Sequence, residues 1–272
     1  MVNWSYVKIL HDPGPSGEVT DIILCKAVLP FLRELHAEGL YTLHFFLRYS
    51  DETGPHLRLR LNAKGLENRI QHSLGLRLED LALDCRIVPG CYEPELAKYG
   101  GPEGMPLAEC QFHASSEFAF ACLACTERSY DARLLIGARE MSWLIEAAMP
   151  KAEDRATALA YYVDHWRRLL NDPRVDSRPT LKCDSDMRAF WIEMVANDGL
   201  VTSLGLRPSL IEWRNATSTV LGRLIKLQQT DRLSVAASHI ALNFVHTFNN
   251  RLGLSVAHEI LMAELLLEMG AL

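Results

Sequence analysis

The chain has 272 residues, a formal net charge of −6 at pH 7 and 49% hydrophobic residues. This composition is typical of a globular protein with a sizeable core. It excludes intrinsic disorder, and it excludes electrostatic binding of nucleic acid over the whole surface of the chain. No stretch approaches the roughly 18 uninterrupted apolar residues of a membrane span, and the first residues lack a secretory-signal pattern. The seven cysteines are scattered and odd in number, which favours reduced thiols and a cytoplasmic location.

Strand and helix patterns are mixed in roughly the first hundred residues. Strands are expected at 4–10, 41–49, 56–61 and 81–92, helices at 18–37 and 66–74, and a turn at 50–55 between the second and third strands. Pro30 is expected to kink or divide the first of these helices.

After about residue 105 the pattern becomes almost wholly helical. Helices are predicted at 107–126, 130–148, 153–170, 184–197, 209–228, 234–251 and 255–269. The fold class is therefore α+β, with a mixed or antiparallel sheet in the N-terminal part packed against a mostly helical C-terminal half. Because no long linker or repeat interrupts the chain, we expect residues 1–272 to form a single domain with an internal change of pattern near 105.

The strand at 56–61 alternates strictly, so His56, Arg58 and Arg60 share one face. Arg48, on the preceding strand, is expected to join this face across the hairpin. Guanidinium groups held this close repel one another unless anions or acidic side chains lie among them, and each can bind a carboxylate through two hydrogen bonds. The pattern therefore indicates either a carboxylate-binding surface or the solvated face of an amphipathic strand.

A polar stripe crosses the otherwise apolar helix at 234–251. Its members are His239, Asn243, His246 and Asn250, whose offsets of 0, 4, 7 and 11 place them on one side. Such a stripe makes structural hydrogen bonds or lines a cavity. In the second case, His246 is a candidate general acid or base near neutral pH.

The segment 92–101 brings Tyr92, Glu93, Glu95 and Lys98 together just before a pair of glycines. It is either part of a site or a simple connection between a strand and a helix. The sequence has no G-x-G-x-x-G, P-loop or G-x-S-x-G motif, so the usual marks of dinucleotide binding, nucleotide hydrolysis and α/β-hydrolase chemistry are missing.

Taken in order, these features match a family pattern over almost the whole chain. The protein resembles the C-terminal, elimination-type domain of lantibiotic dehydratases, also called the thiopeptide-type bacteriocin biosynthesis domain, here in free-standing form. The matching segments are Trp4-Ser5-Tyr6, Phe46-Leu47-Arg48-Tyr49, His56-Leu57-Arg58-Leu59-Arg60, Tyr92-Glu93-Pro94-Glu95, Lys98-Tyr99-Gly100-Gly101 and His246-Thr247-Phe248-Asn249-Asn250-Arg251-Leu252-Gly253.

The resemblance implies a role in the maturation of a ribosomally made thiopeptide or lanthipeptide. Enzymes of this type eliminate glutamate from glutamylated Ser or Thr and leave dehydroamino acids. The implied partners are a precursor peptide with its leader and a separate glutamylating dehydratase component, with no direct contact to nucleic acid or membrane. No metal or other cofactor is implied, and a homodimer is compatible with the sequence.

The resemblance also assigns roles to residues. Arg58 and Lys98 would bind glutamate and stabilise the leaving group, and His246 would act as the acid or base. The supporting substrate-binding candidates are Arg48, His56, Arg60, Tyr99, Asn250 and Arg251.

Three departures from the family pattern keep two other functions open. Lys98 replaces the usual Arg, Phe248 replaces a second His, and Ser115-Ser116 replaces an acidic-Ser pair. Such changes are compatible with ordinary divergence or with a pyridine synthase, which joins two dehydroalanines in a formal [4+2] cycloaddition. A non-catalytic scaffold that binds the precursor peptide is a further alternative of a different class.

Overall fold

The structure, a computed structural model, describes residues 4–126, 129–170, 193 and 197–269. The strands are β1 (Ser5–His11), β2 (His44–Asp51), β3 (Gly54–Leu61) and β4 (Cys85–Pro89). Helical segments connect β1 to β2, namely α1 (Glu18–Ile22), a π-helical segment (Ile23–Val28) and α2 (Leu29–Ala37). Others connect β3 to β4, namely α3 (Glu67–Arg69), a π-helical segment (Ile70–Leu74) and α4 (Gly75–Asp80).

The C-terminal half is helical in every element that the structure describes. The helices are α5 (Met105–Thr126), α6 (Tyr130–Ala148), α7 (Ala152–Leu170), α8 (Gly199–Ser203), α9 (Arg207–Gln229), α10 (Ala237–Leu252) and α11 (Val256–Glu268). The predicted helix at 184–197 lies almost wholly outside the described residues. No helix in the described ranges is both long and apolar enough to cross a bilayer.

The four strands form one sheet in the order β2-β3-β1-β4, and each neighbouring pair is antiparallel. The α+β prediction is therefore confirmed. The predicted turn at 50–55 is too long, because Asp51 pairs with Gly54 and leaves two residues in the turn. The Asp51 carboxylate accepts a hydrogen bond from the Thr53 backbone N–H at 2.9 Å, which stabilises this tight connection.

The helix predicted at 18–37 is present over that range, but its central segment is π-helical. Pro30 lies just beyond this segment. Because proline has no backbone N–H, it cannot bond the carbonyl four residues before it. A local change of helical hydrogen bonding is a usual response to such a defect, so the chain continues without a break.

The two faces of the sheet have opposite characters. On one face Val7, Ile9, Leu57 and Leu59 are fully buried in the core. The other face carries the polar cross-strand pairs, in which Arg60 lies opposite Tyr6 and Phe45, and Arg58 lies opposite Lys8 and Leu47. The strand alternation predicted for 56–61 therefore holds, and it gathers cationic groups on one side.

Helices α5 and α10 cover the free edge of β2. The N–H of Phe46 donates to the Ser116 hydroxyl at 3.3 Å. Asn250 accepts from the N–H of Arg48 and donates to its carbonyl oxygen, both at 2.9 Å. Unpaired main-chain groups at an edge strand need partners, and here the helical half of the chain supplies them.

Replacing Asn250 with Ala is expected to lower the free energy of unfolding by about 1–3 kcal/mol, because the two main-chain groups of Arg48 lose their partners. Urea denaturation measures the change, with the exposed Asn215→Ala on α9 as the control. If the two variants unfold at the same urea concentration, Asn250 does not hold the two halves together.

Candidate active site

A cavity of about 500 Å³ lies between the polar face of the sheet, α10 and the loop that precedes α5. The sheet contributes Arg58 and Arg60, the loop contributes Lys98, and α10 contributes His246. The three residues predicted to be catalytic, Arg58, Lys98 and His246, thus line one cavity, although they come from distant parts of the sequence.

Arg58 is held between an aromatic ring and a carboxylate. Its Cζ lies 3.3 Å from the centre of the Tyr49 ring, and its guanidinium is 3.8 Å from Asp51. Asp51 also pairs with Lys8 at 2.8 Å, and this contact with Lys8 and the bonds from Thr53 hold the pKa of Asp51 well below its usual range. The single negative charge of Asp51 therefore lies beside two cations, Lys8 and Arg58, which leaves net positive charge at this end of the cavity.

Arg60 lies in a cage of aromatic rings. Its Cζ is 4.9 Å from the ring centre of Tyr6, 5.1 Å from that of Phe45 and 5.0 Å from that of Tyr92. The residue is 8% exposed, and its Nε has no hydrogen-bond partner among the described residues. Burial lowers its pKa, but a guanidinium stays protonated near neutral pH. Arg60 is thus a desolvated cation that can accept an anion.

Lys98 reaches the cavity from a loop that glycine makes possible. Gly100 and Gly101 both adopt the left-handed backbone region, with φ of 83° and 87°. The carbonyl oxygen of Lys98 accepts a hydrogen bond from Asn243 of α10 at 3.4 Å. Among the described residues, the one carboxylate near the Lys98 ammonium is that of Glu95 at 4.0 Å, so the ammonium is available to a ligand.

His246 is oriented by a carboxylate that the sequence analysis assigned no role. Its Nδ1 lies 3.1 Å from both oxygens of Glu259, which is fully buried on α11. Glu259 also accepts a hydrogen bond from the hydroxyl of Tyr162, whose pKa is raised by burial. With Nδ1–H donating to Glu259, the lone pair of the neutral imidazole is on Nε2. The Trp166 ring, 4.4 Å away, packs against the imidazole.

The polar stripe of α10 performs three separate tasks. Asn243 bonds the loop at Lys98, His246 lines the cavity, and Asn250 holds β2. His239, at the start of the stripe, is exposed and contacts the Tyr161 ring instead.

Phe248, which stands where the family pattern has a second His, points away from the cavity. It stacks on Phe118 and Trp213, with ring centres 5.6 and 5.1 Å away. Position 248 therefore belongs to the aromatic core, and position 246 is the one that reaches the cavity.

The prediction that the Arg48 side chain joins the face of Arg58 is wrong. In the hairpin register Arg48 pairs with Leu57, so its side chain leaves the sheet on the opposite face. There it donates to Asp21 at 2.6 Å and to the carbonyl oxygen of Arg251 at 3.2 Å. Its guanidinium is thus committed to structural bonds.

Arg251 is fully buried and lies outside the cavity lining. It donates to the hydroxyl of Ser116 at 3.0 Å and to that of Ser115 at 3.2 Å. Burial is the main cause that lowers its pKa to about 9, and the nearby charge of Arg60 adds to this effect. These contacts explain why two serines stand at 115 and 116, and they do not support substrate binding by Arg251.

The remaining predicted residues surround the cavity in different ways. Tyr99 and Asn250 line it, and burial raises the pKa of Tyr99. His56 is 2% exposed and lies behind Arg58, with its Nε2 3.4 Å from the Arg58 Nε. Its other ring nitrogen, Nδ1, is 2.9 Å from the carbonyl oxygen of Gly54.

Comparison with known proteins agrees with this arrangement of elements. The family described as "Lantibiotic biosynthesis dehydratase C-term" matches residues 4–269. The chain belongs to the lantibiotic dehydratase C-terminal family. No protein with a curated description matches this member of the family.

Three solved structures share this fold. One is the tRNA-dependent lantibiotic dehydratase MibB from Microbispora sp. 107891, with 19% identity and a TM-score of 0.69 over 96% of this chain. The chain covers 27% of the length of MibB. The pyridine synthase TbtD from thiomuracin biosynthesis has 17% identity and a TM-score of 0.61, with 98% of this chain and 97% of TbtD covered. TsrL has 17% identity and a TM-score of 0.59, with 99% and 96% covered. At these identities the likeness concerns the fold.

A buried carboxyl group, that of Glu109, lies next to the aromatic cage and makes the stability of the protein depend on pH. Tyr92 donates to Glu109 at 3.0 Å, and burial raises the pKa of Glu109 above its ordinary value of 4.5. The unfolded chain therefore loses this proton first, so the stability contributed by the protonated carboxyl is present below about pH 4.5 and is lost as the pH rises through the folded-state pKa.

Glu109→Gln keeps an acceptor for Tyr92 and removes the ionisation. We expect this variant to be more stable than the wild type at pH 7, with the gain disappearing at pH 4, as measured by urea unfolding at both values. The exposed Glu212→Gln is the control. A gain of equal size at both pH values would show that burial of the charge is not the cause.

Proposed function

We propose that the protein eliminates glutamate from glutamylated Ser or Thr residues of a ribosomally made precursor peptide and leaves dehydroamino acids. The observation that supports this most directly is the shared cavity, in which Arg58, Arg60 and Lys98 meet the imidazole of His246. The family membership and the fold support the wider assignment to peptide natural-product maturation.

The charge distribution suits a glutamyl ester as the ligand. When one carboxyl of glutamate is esterified to a peptide hydroxyl, the group retains one carboxylate and one ammonium. Arg60, desolvated in its aromatic cage, would bind the carboxylate, and Arg58 would reinforce it. Glu93 and Glu95, which also line the cavity, can receive the ammonium.

The elimination needs a base and a place for the departing negative charge. Nε2 of His246 would take the proton from Cα, the Cα–H electron pair would form the Cα=Cβ bond, and the Cβ–O bond would break. The departing glutamate carboxylate would be stabilised by Arg58 and Lys98. Glu259 would stabilise the imidazolium that forms, and the proton would then pass to solvent.

The proposed substrate requires two partners. One is the precursor peptide with its leader, and the other is a glutamylating component that forms the ester. This chain corresponds to 27% of MibB, so in this proposal glutamylation is carried out by sequence outside the present chain.

Cycloaddition of two dehydroalanines is the second candidate, because the chain covers nearly all of the pyridine synthase TbtD and only a quarter of MibB. Elimination is preferred because the cavity concentrates guanidinium groups that a neutral dehydroalanine pair does not require. The third candidate function is that of a scaffold that binds the precursor peptide without changing it.

Mass spectrometry of a peptide carrying a glutamyl ester on one serine tests the proposal. The wild type is expected to produce the dehydroalanine peptide, whose mass differs by one water from that of the hydrolysed serine peptide. His246→Ala and Arg58→Met are each expected to slow this reaction at least about 100-fold, the usual contribution of a general base or a charge-stabilising group.

The matched controls are His72→Ala and Arg86→Met, which change exposed residues outside the cavity lining. Undiminished elimination in the His246 and Arg58 variants would refute the site. If the wild type leaves the ester intact but converts a peptide with two dehydroalanines, the protein is a pyridine synthase. Binding without any mass change would identify a scaffold.

Glu259 is proposed as a positioning residue for His246. Glu259→Gln is expected to lower kcat about 10- to 100-fold with little change in KM, since outer groups that orient an imidazole typically have effects of this size. Glu264→Gln on the same helix is the control. A change confined to KM, or an equal loss in both variants, would contradict the assignment, and the pH profile of kcat would separate an electrostatic effect from a loss of stability.

A further inference from the structure

A second group of metal-ligating side chains lies outside the catalytic cavity, where the start of β2 meets α5. One ligand atom from each of His44, His113 and Glu117 lies within 4.8 Å of the other two. Nε2 of His44 is 3.1 Å from an oxygen of Glu117. His113 and Glu117 are four residues apart on α5, so both side chains project from one side of the helix.

His44 is buried without the hydrogen bonds that such a group normally makes. It is 1% exposed, and neither of its ring nitrogens has a hydrogen-bond partner among the described residues. Its Nε2 lies close to the Glu117 carboxylate, but the two groups are not aligned as donor and acceptor. Because buried polar groups are nearly always satisfied, an imidazole aimed at a carboxylate in this way points to a ligand between them.

His113 is oriented as a metal-binding histidine would be. Its Nδ1 lies 3.2 Å from the carbonyl oxygen of His44 and 3.4 Å from the His44 N–H, and the shorter contact favours donation to the carbonyl. A histidine whose Nδ1–H bonds a main-chain carbonyl has its lone pair on Nε2, which is a common arrangement for a metal ligand. The Glu117 side chain is about half exposed, so solvent has access to the group.

We propose that His44, His113 and Glu117 bind a divalent transition-metal ion of the zinc class. Two imidazoles and one carboxylate are a ligand set that such ions favour, and a water molecule can complete the coordination. Tetrahedral coordination by zinc requires ligand atoms roughly 3.4 Å apart. The ligand atoms here are at most 4.8 Å apart, so small side-chain movements are enough to bring them to that distance.

This site goes beyond the proposed lyase activity and is independent of it. The ion links the first residue of β2 to α5. The next residue of β2, Phe45, belongs to the aromatic cage, and Phe112 of α5 packs on it with ring centres 5.2 Å apart. Metal binding therefore stabilises one wall of the cavity without touching the substrate.

Titration of the tag-free protein with zinc chloride by isothermal calorimetry tests the proposal. The wild type is expected to bind one equivalent at this site and to gain thermal stability as zinc is added, since a ligand that binds the folded state raises Tm. His113→Ala and Glu117→Gln are expected to weaken this binding at least about 10-fold and to lose the Tm shift.

The exposed His72→Ala is the control for zinc bound at surface histidines, and it should behave as the wild type. Both test variants change residues near the surface, which avoids removing the buried His44. Equal zinc affinity in wild type, His113→Ala and Glu117→Gln would overturn the proposal, as would a wild type without stoichiometric binding. Elimination activity does not enter this test, so failure of either proposal leaves the other standing.

Discussion

The two hydrogen bonds between Asn250 and the main chain of Arg48 join the sheet to the helical half. They fix the position of α10 along the free edge of β2. His246 precedes Asn250 by about one helical turn, or roughly 6 Å, and so it lies over the polar face of the sheet. Together with the bond from the Arg48 guanidinium to the Arg251 carbonyl oxygen, these contacts align the polar stripe of α10 with the polar face of the sheet, and the cavity lies between them.

The second constraint is electrostatic. Arg60 and Arg251 are both buried cations, but their surroundings differ. Arg251 donates to two serine hydroxyls in the interior, whereas Arg60 meets mainly ring faces and borders the cavity. Removing a cation from water is costly unless it is paired, so the environment of Arg60 is best satisfied by a bound anion. A glutamyl carboxylate meets this requirement in the proposed reaction.

Local periodicity accounts for what could be predicted from the sequence. Strict alternation identified the shared face of Arg58 and Arg60, and helical spacing identified the stripe that contains His246 and Asn250. Arg48 was misplaced because its face depends on the pairing between strands. The strands pair through a two-residue turn, which puts Leu47 and not Arg48 beside Arg58.

Tertiary packing accounts for what could not be predicted. Glu259 lies 13 residues after His246 on another helix, and no sequence pattern links the two. The same is true of His44 on β2 and His113 on α5, which are 69 residues apart in the sequence. In each case the local sequence predicts each of the two elements. The side chains form a functional pair only because the two elements pack against each other, and local sequence does not predict that packing. Resemblance to a family located the cavity residues, but it did not reveal the carboxylate behind the imidazole.

A crystal structure with a peptide in which a glutamyl amide replaces the reactive ester would show whether the cavity binds the glutamyl group beside His246. The proposed mechanism requires the glutamyl carboxylate to lie within hydrogen-bond distance of the Arg58 or Arg60 guanidinium. It also requires the Cα of the modified residue to lie about 3–3.5 Å from Nε2 of His246. A peptide bound with its glutamyl group outside the cavity, or with His246 remote from that Cα, would contradict it.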